Sequence, residues 1–424
     1  MLNETICREY IKILEEELIP AMGCTEPIAL AYAAAKAREV FGRMPERVTA
    51  WCSGNIIKNV RCVTIPNSGY MMGIEAGVTL GMTGGDAARN MEVLESVTPD
   101  DIETAKKLLQ EGFCTVELLD SPVPLHIRLN LYGGGDEVML EIRHAHTNIT
   151  RIEKNGKVLY EKDEKGDESG TKADRKLLNL ENIKEFADTI ELDRIKELID
   201  RQIACNMAIA EEGMTGKYGL GIGKVIREAY ADGLGTKMKA YTAAASEARM
   251  GGCEMPVIIN SGSGNQGIAS SVPVIIYARE NGLSEEMRYR ALVFSNLLTI
   301  FQKEFIGKLS AFCGAVSASC SSGAALTYMA GGTMEQIRMT IENTLADIPG
   351  IICDGAKVSC AAKIASSLDA ALMSHHLAMR GKAYEAHTGI LKEETGKTIS
   401  TVGYIGKEGM RQTDKEILKV MLER

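Results

Sequence analysis

The chain has 424 residues, 45% hydrophobic and 25% charged, which is enough for two or three domains, each with its own core. Its 48 basic and 57 acidic residues leave a net charge of -9, which repels phosphate backbones and anionic lipid, and 5% aromatics give bases little to stack on. Nucleic-acid and membrane partners are therefore not expected.

The opening MLNETICREY is too charged for a signal sequence and no run of about 18 apolar residues occurs, so a cytoplasmic location is expected. The 11 cysteines, an odd number, read as reduced thiols with a metal-binding or catalytic subset rather than as a disulfide framework.

In chain order, Leu2, Ile6, Tyr10, Ile13, Leu14 and Leu18 share one helical face, and Pro20 stops the pattern. In AMGCTEPIALAYAAAKARE, residues 21–39, Thr25 is expected to cap the next helix, with Pro27 in its first turn. Cys24 then sits just outside a helix N-terminus, where the dipole lowers a thiol pKa, making it a candidate base or nucleophile. A small residue placed there for packing alone is the other reading. Thr25 and Glu26 belong to the same candidate site and would border the substrate.

Val48–Ser53 is a short strand candidate. In the following GNIIKNVRCVTIPNSG, Asn55, Lys58 and Asn59 either address an anionic substrate or line a solvated loop. A helix is expected from Pro99 to Glu111 and a strand from Thr115 to Leu119. The strongest β signal is LHIRLNLY at 125–132, continued after a glycine turn by Val138, Leu140 and Ile142: a hairpin with one wet face. His144, His146, Thr147 and Asn148 follow at the strand end, where His146 and Asn148 could reach a ligand; a surface role or a two-histidine metal site are the alternatives. Asn155-Gly156 marks a further tight turn.

The stretch 161–176 holds 11 charged residues in 16 and reads as a linker, so a boundary falls near residue 175. Beyond it helical periodicity prevails, with helices expected at 181–212, 216–232, 236–250, 284–308, 314–330, 333–346, 356–379 and 413–423. The expected fold is thus α+β in two domains: a smaller N-terminal α+β domain over 1–175 with a mainly antiparallel sheet, and a larger all-α domain over 176–424. Within the second, INSGSGNQGIASSVPV at 259–274 is expected to be a loop. The backbone amides of Ser261, Gly262, Ser263, Gly264 and Asn265 could cradle a carboxylate or phosphate, although the spacing is not that of a P-loop and a plain turn serves as well.

Three C-terminal cysteines stand among Gly, Ala and Ser: Cys313 in CGAVSASCSSGAA, and Cys353 and Cys360 in PGIICDGAKVSCAAKIA. Thiolates so placed suit an iron-sulfur cluster or zinc, and three ligands would leave one iron open. Seven residues on a straight helix span roughly 10 Å, so a bend at Asp354-Gly355 is needed to bring Cys353 beside Cys360. Packed thiols, or a closed zinc site that adds Cys320, fit the same spacing.

CTEPIA at 24–29, NIIKNV at 55–60, HTNI at 146–149, SGSGNQG at 261–267, CGAVSASC at 313–320 and CDGAKVSC at 353–360 run in order along nearly the whole chain. Together they resemble the L-cysteine desulfidase family, much of it labelled UPF0597 and related to the iron-sulfur L-serine dehydratases. The resemblance implies a 4Fe-4S cluster on Cys313, Cys353 and Cys360, with Cys24 as proton acceptor and Cys320 a neighbour rather than a ligand. It further implies β-elimination on a small amino acid, L-cysteine or alternatively L-serine. The chain could form a homodimer. No local signature assigns a Schiff-base lysine, so pyridoxal phosphate is not expected. A non-enzymatic cluster-based sensor is the other class of reading.

Overall fold

In the computed structural model, which describes residues 2–162, 173–307 and 310–422, the first helix is α1 (Glu4–Glu17), capped by the Asn3 side chain accepting from the Thr5 amide at 2.9 Å. Its predicted apolar face is buried, but against the helical half of the chain: Tyr10, Ile13, Leu14 and Leu18 share a core with Ile183, Phe186 and Val293. The strand β1 (Pro20–Met22) follows and pairs antiparallel with residues 256–258 of the helical half. Residues 2–22, grouped by sequence with the smaller unit, therefore pack into the larger core.

Next comes α2 (Thr25–Phe41), alanine-rich and buried along most of its length, ended by Gly42 in the left-handed conformation. It leads into β2 (Arg47–Cys52), α3 (Gly54–Val60) and α4 (Ile74–Gly84). The α3 stretch had the solvated loop as one sequence reading, yet Lys58 and Asn59 are buried in it. α2 and α4 approach so closely that a Cβ at Gly81 would lie 2.4 Å from the Ala31 carbonyl oxygen. α5 (Pro99–Gln110) starts with a Thr98/Asp101 capping box, as its sequence requires. Then follow β3 (Cys114–Leu118), β4 (His126–Gly133), β5 (Asp136–Arg143), β6 (Ile149–Lys154) and β7 (Lys157–Glu161). These make a six-stranded sheet in the order β3-β2-β4-β5-β6-β7, antiparallel except for β2 and β3. The alternation of 125–142 puts Ile127, Leu129, Leu131, Val138, Leu140 and Ile142 in the core beneath α2. Most of the predicted linker, residues 163–172, lies outside the described residues.

The helical half contains α6 (Leu180–Thr189), α7 (Lys196–Gly213), α8 (Ile222–Ala229), α9 (Leu234–Met250), the strand β8 (Pro256–Ile258), α10 (Gly264–Glu280), α11 (Glu285–Ile306), α12 (Gly314–Met329), α13 (Met334–Asp347), α14 (Cys360–Ala378), α15 (Thr395–Tyr404) and α16 (Arg411–Leu422). The helix predicted over 181–212 is broken by a tight turn at Leu192–Arg194, and that over 216–232 shrinks to α8 because glycines at 216, 219 and 221 all take positive φ. The predicted loop at 259–274 ends at Ser263; from Gly264 the chain is helical, with Pro273 inside the helix. β8 is a short strand within a half expected to be all helix. α16 leaves its own half and lies on α3, with Lys58 paired to Asp414. No helix among the described residues is long and apolar enough to cross a membrane.

Candidate active site

The junction between the halves is built around Glu26. α2 begins at Thr25, so Cys24 rather than Thr25 occupies the N-cap position, and Cys24 makes no side-chain cap bond. Its thiol instead donates to Glu26 Oε2 at 3.1 Å. The Thr25 hydroxyl donates to the same oxygen at 2.9 Å and to the Gly262 carbonyl at 3.1 Å, and Asn59 Nδ2 donates to Glu26 Oε1 at 3.0 Å. This reverses the expected thiol chemistry. Burial first, and then the adjacent Glu26 carboxylate, push the Cys24 thiol well above its ordinary value, with Arg249 as the opposing charge. Cys24 rests as a thiol because its negative neighbour and lack of solvent outweigh the helix dipole. Burial also works to raise the Glu26 carboxyl, but the charge of His146 and the Cys24 and Thr25 hydrogen bonds hold it below the usual range.

Facing Cys24 and Glu26 is the turn before α10. Ser261 and Gly262 both take positive φ, and Asn260 and Ser263 bond across the turn. The amides of the first turn of α10 point toward the junction, a setting that favours an anion. Asn265 Oδ1 accepts from Ser246 Oγ and from Arg249 Nη1, both at 3.1 Å. A Cβ at Gly264 would lie 2.2 Å from Arg249 Nε, and one at Gly314 2.4 Å from the Gln266 side chain. The turn is thereby wedged between Arg249 and the start of α12, where Cys313 sits.

Cys313 and Cys353 are brought together by an antiparallel bridge between residues 312 and 352, in which the Cys313 amide donates to Ile351 O at 2.8 Å and the Cys353 amide to Ala311 O at 2.7 Å. The neighbouring Cys353 thiol, ahead of burial, raises Cys313, and Cys313 in turn lowers Cys353 against the effect of burial, helped by Lys58, the Gly355 amide and Lys363. The bend expected at Asp354-Gly355 is present, with Gly355 at φ +97. It returns the chain to Cys360, the first residue of α14, whose thiol donates to Gly355 O at 3.8 Å and whose charge both other cysteines affect or feel. The donor set, three thiols of which Cys313 and Cys360 stand at helix starts, fits a soft metal centre in kind. Among the described residues no three His, Cys, Asp or Glu side chains stand at metal-ligating distances as they are. Cys320 lies two turns along α12 from Cys313, buried, with its thiol turned to Ile341 O at 3.9 Å and its pKa pushed by burial to about 12.

A cleft of about 930 Å³ opens between the halves, lined by Asn55, His144, His146, Ser261 and Gly262, and by Asp414 of α16. Of the residues expected to bind substrate, Asn55, His146, Ser261 and Gly262 line this cleft, while Thr25 and Asn59 bond to Glu26 and Ser263, Gly264 and Asn265 carry the turn into α10. Lys58 does not face the cleft as a free cation, being paired to Asp414. Asn148 is taken up by its own turn, donating to Arg143 O at 2.8 Å and accepting from Lys162 at 3.1 Å. Arg249, Gln266 and Asp414 were missed by sequence reasoning; for Arg249 the available signal was a lone cation in the small-residue run TAAASEARMGG.

Two core units meeting at a polar junction form a two-domain α+β protein, and the family match that follows puts it in the dehydratase-like lyase class. The sequence model of the family described as "Serine dehydratase alpha chain" matches residues 88–419. Relatives named "UPF0597 protein" match end to end: one from Lachnoclostridium phytofermentans is 46% identical over 415 residues, covering 98% of this chain and 99% of the relative. One from Treponema denticola is 47% identical over 428 residues, covering 100% and 99%, and one from Bacteroides fragilis 37% identical over 429, covering both in full. The chain belongs to the UPF0597 family, within the serine dehydratase alpha chain group.

Proposed function

We propose that this protein is an L-cysteine desulfidase: it removes the Cα proton of L-cysteine and expels the Cβ sulfur as sulfide, leaving aminoacrylate, which hydrolyses to pyruvate and ammonia. The observation that carries the reading is the convergence of Cys24, Glu26 and the 261–265 turn on one junction, with Cys313, Cys353 and Cys360 gathered just beyond Gln266.

The Cys24 thiol already donates to Glu26 Oε2, so the carboxylate is the acceptor that frees the thiolate. The thiolate then takes the Cα proton. The turn amides and the α10 N-terminus hold the substrate carboxylate, and Asn59 keeps Glu26 oriented. Cys313, Cys353 and Cys360 would hold a 4Fe-4S cluster, which when bound supplies a Lewis-acidic iron for the departing sulfur. The family description favours a second reading, elimination of water from L-serine.

The test is anaerobic purification with iron and sulfide analysis, then parallel assays on both amino acids. Cys24→Ala should keep its iron and lose turnover, Cys353→Ala should lose both, and Cys320→Ala should keep both. Full sulfide release by Cys24→Ala removes Cys24 from its role, and activity on L-serine alone replaces the first reading by the second.

A further inference from the structure

Arg249 heads the fully buried side chains by size, at 2% exposure in the last turn of α9. A buried guanidinium costs several kcal/mol unless paired, and proteins almost always supply a carboxylate. Here none does so among the described residues. The Arg249 side chain donates from Nη1 to the neutral Asn265 amide oxygen, and its Nε has no partner among the described residues.

That orphaned donor lies over the first turn of α10, beside Gly264, so a guanidinium and a helix N-terminus converge on one spot without an anion between them. Across the junction the unsatisfied groups have the opposite polarity. Among the described residues Asn55 Oδ1 and Asn59 Oδ1 are buried acceptors without donors, and Glu26 stands beside Asn59. Donors on one side and acceptors on the other complement a zwitterion, its carboxylate toward Arg249 and its ammonium toward the amide oxygens. Arginine suits this because its planar fork meets both carboxylate oxygens at once.

We propose that Arg249 anchors the substrate's α-carboxylate, and that the site therefore selects free α-amino acids over the corresponding amines and esters. This rests on the reading of the junction as an amino-acid site, and it names the residue that sets substrate class.

The test reads binding, by anaerobic calorimetry on the full chain, with two thiol probes that differ only in the group at issue: 3-mercaptopropionate, which has the carboxylate and no amine, and cysteamine, which has the amine and no carboxylate. Any contribution of the probe thiol cancels in the ratio of wild-type to variant affinity for each probe. Wild-type protein should bind 3-mercaptopropionate more tightly than cysteamine or L-cysteine methyl ester. Arg249→Met should weaken 3-mercaptopropionate by about thirtyfold or more and leave cysteamine unchanged, with Arg249→Lys between. The proposal is overturned if wild type does not prefer the carboxylate probe, a comparison that needs no variant to fold, or if folded Arg249→Met keeps the wild-type preference. A protein that holds 3-mercaptopropionate through Arg249 yet releases no sulfide from L-cysteine supports the anchor and overturns only the reaction assigned above.

Discussion

Thr25 and Gly262, 237 positions apart in the chain, meet at 3.1 Å, the hydroxyl of the first donating to the carbonyl of the second. Gly262 belongs to the turn that lines the cleft, and Thr25 lies between Cys24 and Glu26, so this contact fixes the distance between the Cys24-Glu26 pair and that turn.

Removing that hydroxyl should show in stability as well as in turnover. Thr25→Val keeps the shape but leaves a half-buried carbonyl and one buried bond to Glu26 unsatisfied, a loss of about 1–3 kcal/mol. Thr25→Ser should recover most of it. Urea unfolding of the three proteins measures the difference, and equal midpoints for wild type and Thr25→Val would mean the contact does not hold the halves in register.

Glu26 gives a prediction with a definite sign. Its carboxylate is a like charge beside the Cys24 thiolate and an acceptor for the thiol proton, and both effects disfavour the thiolate at rest. Glu26→Gln should therefore lower the Cys24 pKa while abolishing turnover, because the proton acceptor is gone. Thiolate absorbance in the ultraviolet, followed against pH and corrected with a Cys24→Ala/Glu26→Gln control, reads the shift. A rise, or no change, would show that Glu26 does not face Cys24 in solution.

How much of this was legible beforehand depended on whether a residue's environment is local. The hairpin at 125–142 was read because alternation states which side is buried, and the structure pairs Leu129 with Leu140 and Leu131 with Val138 as that pattern requires. The helix α10 was not, because Gly, Ser and an internal Pro273 mimic a loop. Its start is held instead by a distant partner, Asn206 Nδ2 donating to Gly267 O, alongside the helix's own Ser270 and Ser271 hydroxyls. Cys24 was placed correctly at a helix start, but its protonation state depends on Glu26 folding back onto it and on burial by the other half, neither of which the tetrapeptide CTEP encodes. Arg249 was invisible for the same reason: that no carboxylate among the described residues pairs with it is a property of the assembled junction.

The helical half carries its own pH response, independent of the cleft. His375, 5% exposed in α14, shares a 2.9 Å hydrogen bond with Thr327 Oγ1 of α12 and meets the Tyr277 ring of α10 edge-on at 6.3 Å. Burial, and then the positive charges of His376 and Arg380, lower its pKa from 6.5 to about 4. The folded state thus binds fewer protons than the unfolded chain between those values. The stabilisation is fully present above pH 6.5 and is lost as the pH falls toward 4, on the order of 3 kcal/mol in all. Denaturant midpoints for wild type and His375→Gln at intervals from neutral to acid pH measure this: the wild-type curve should fall more steeply across that window. Parallel curves would mean that His375 takes up its proton without cost, and that the packing of α10, α12 and α14 around it opens readily to water.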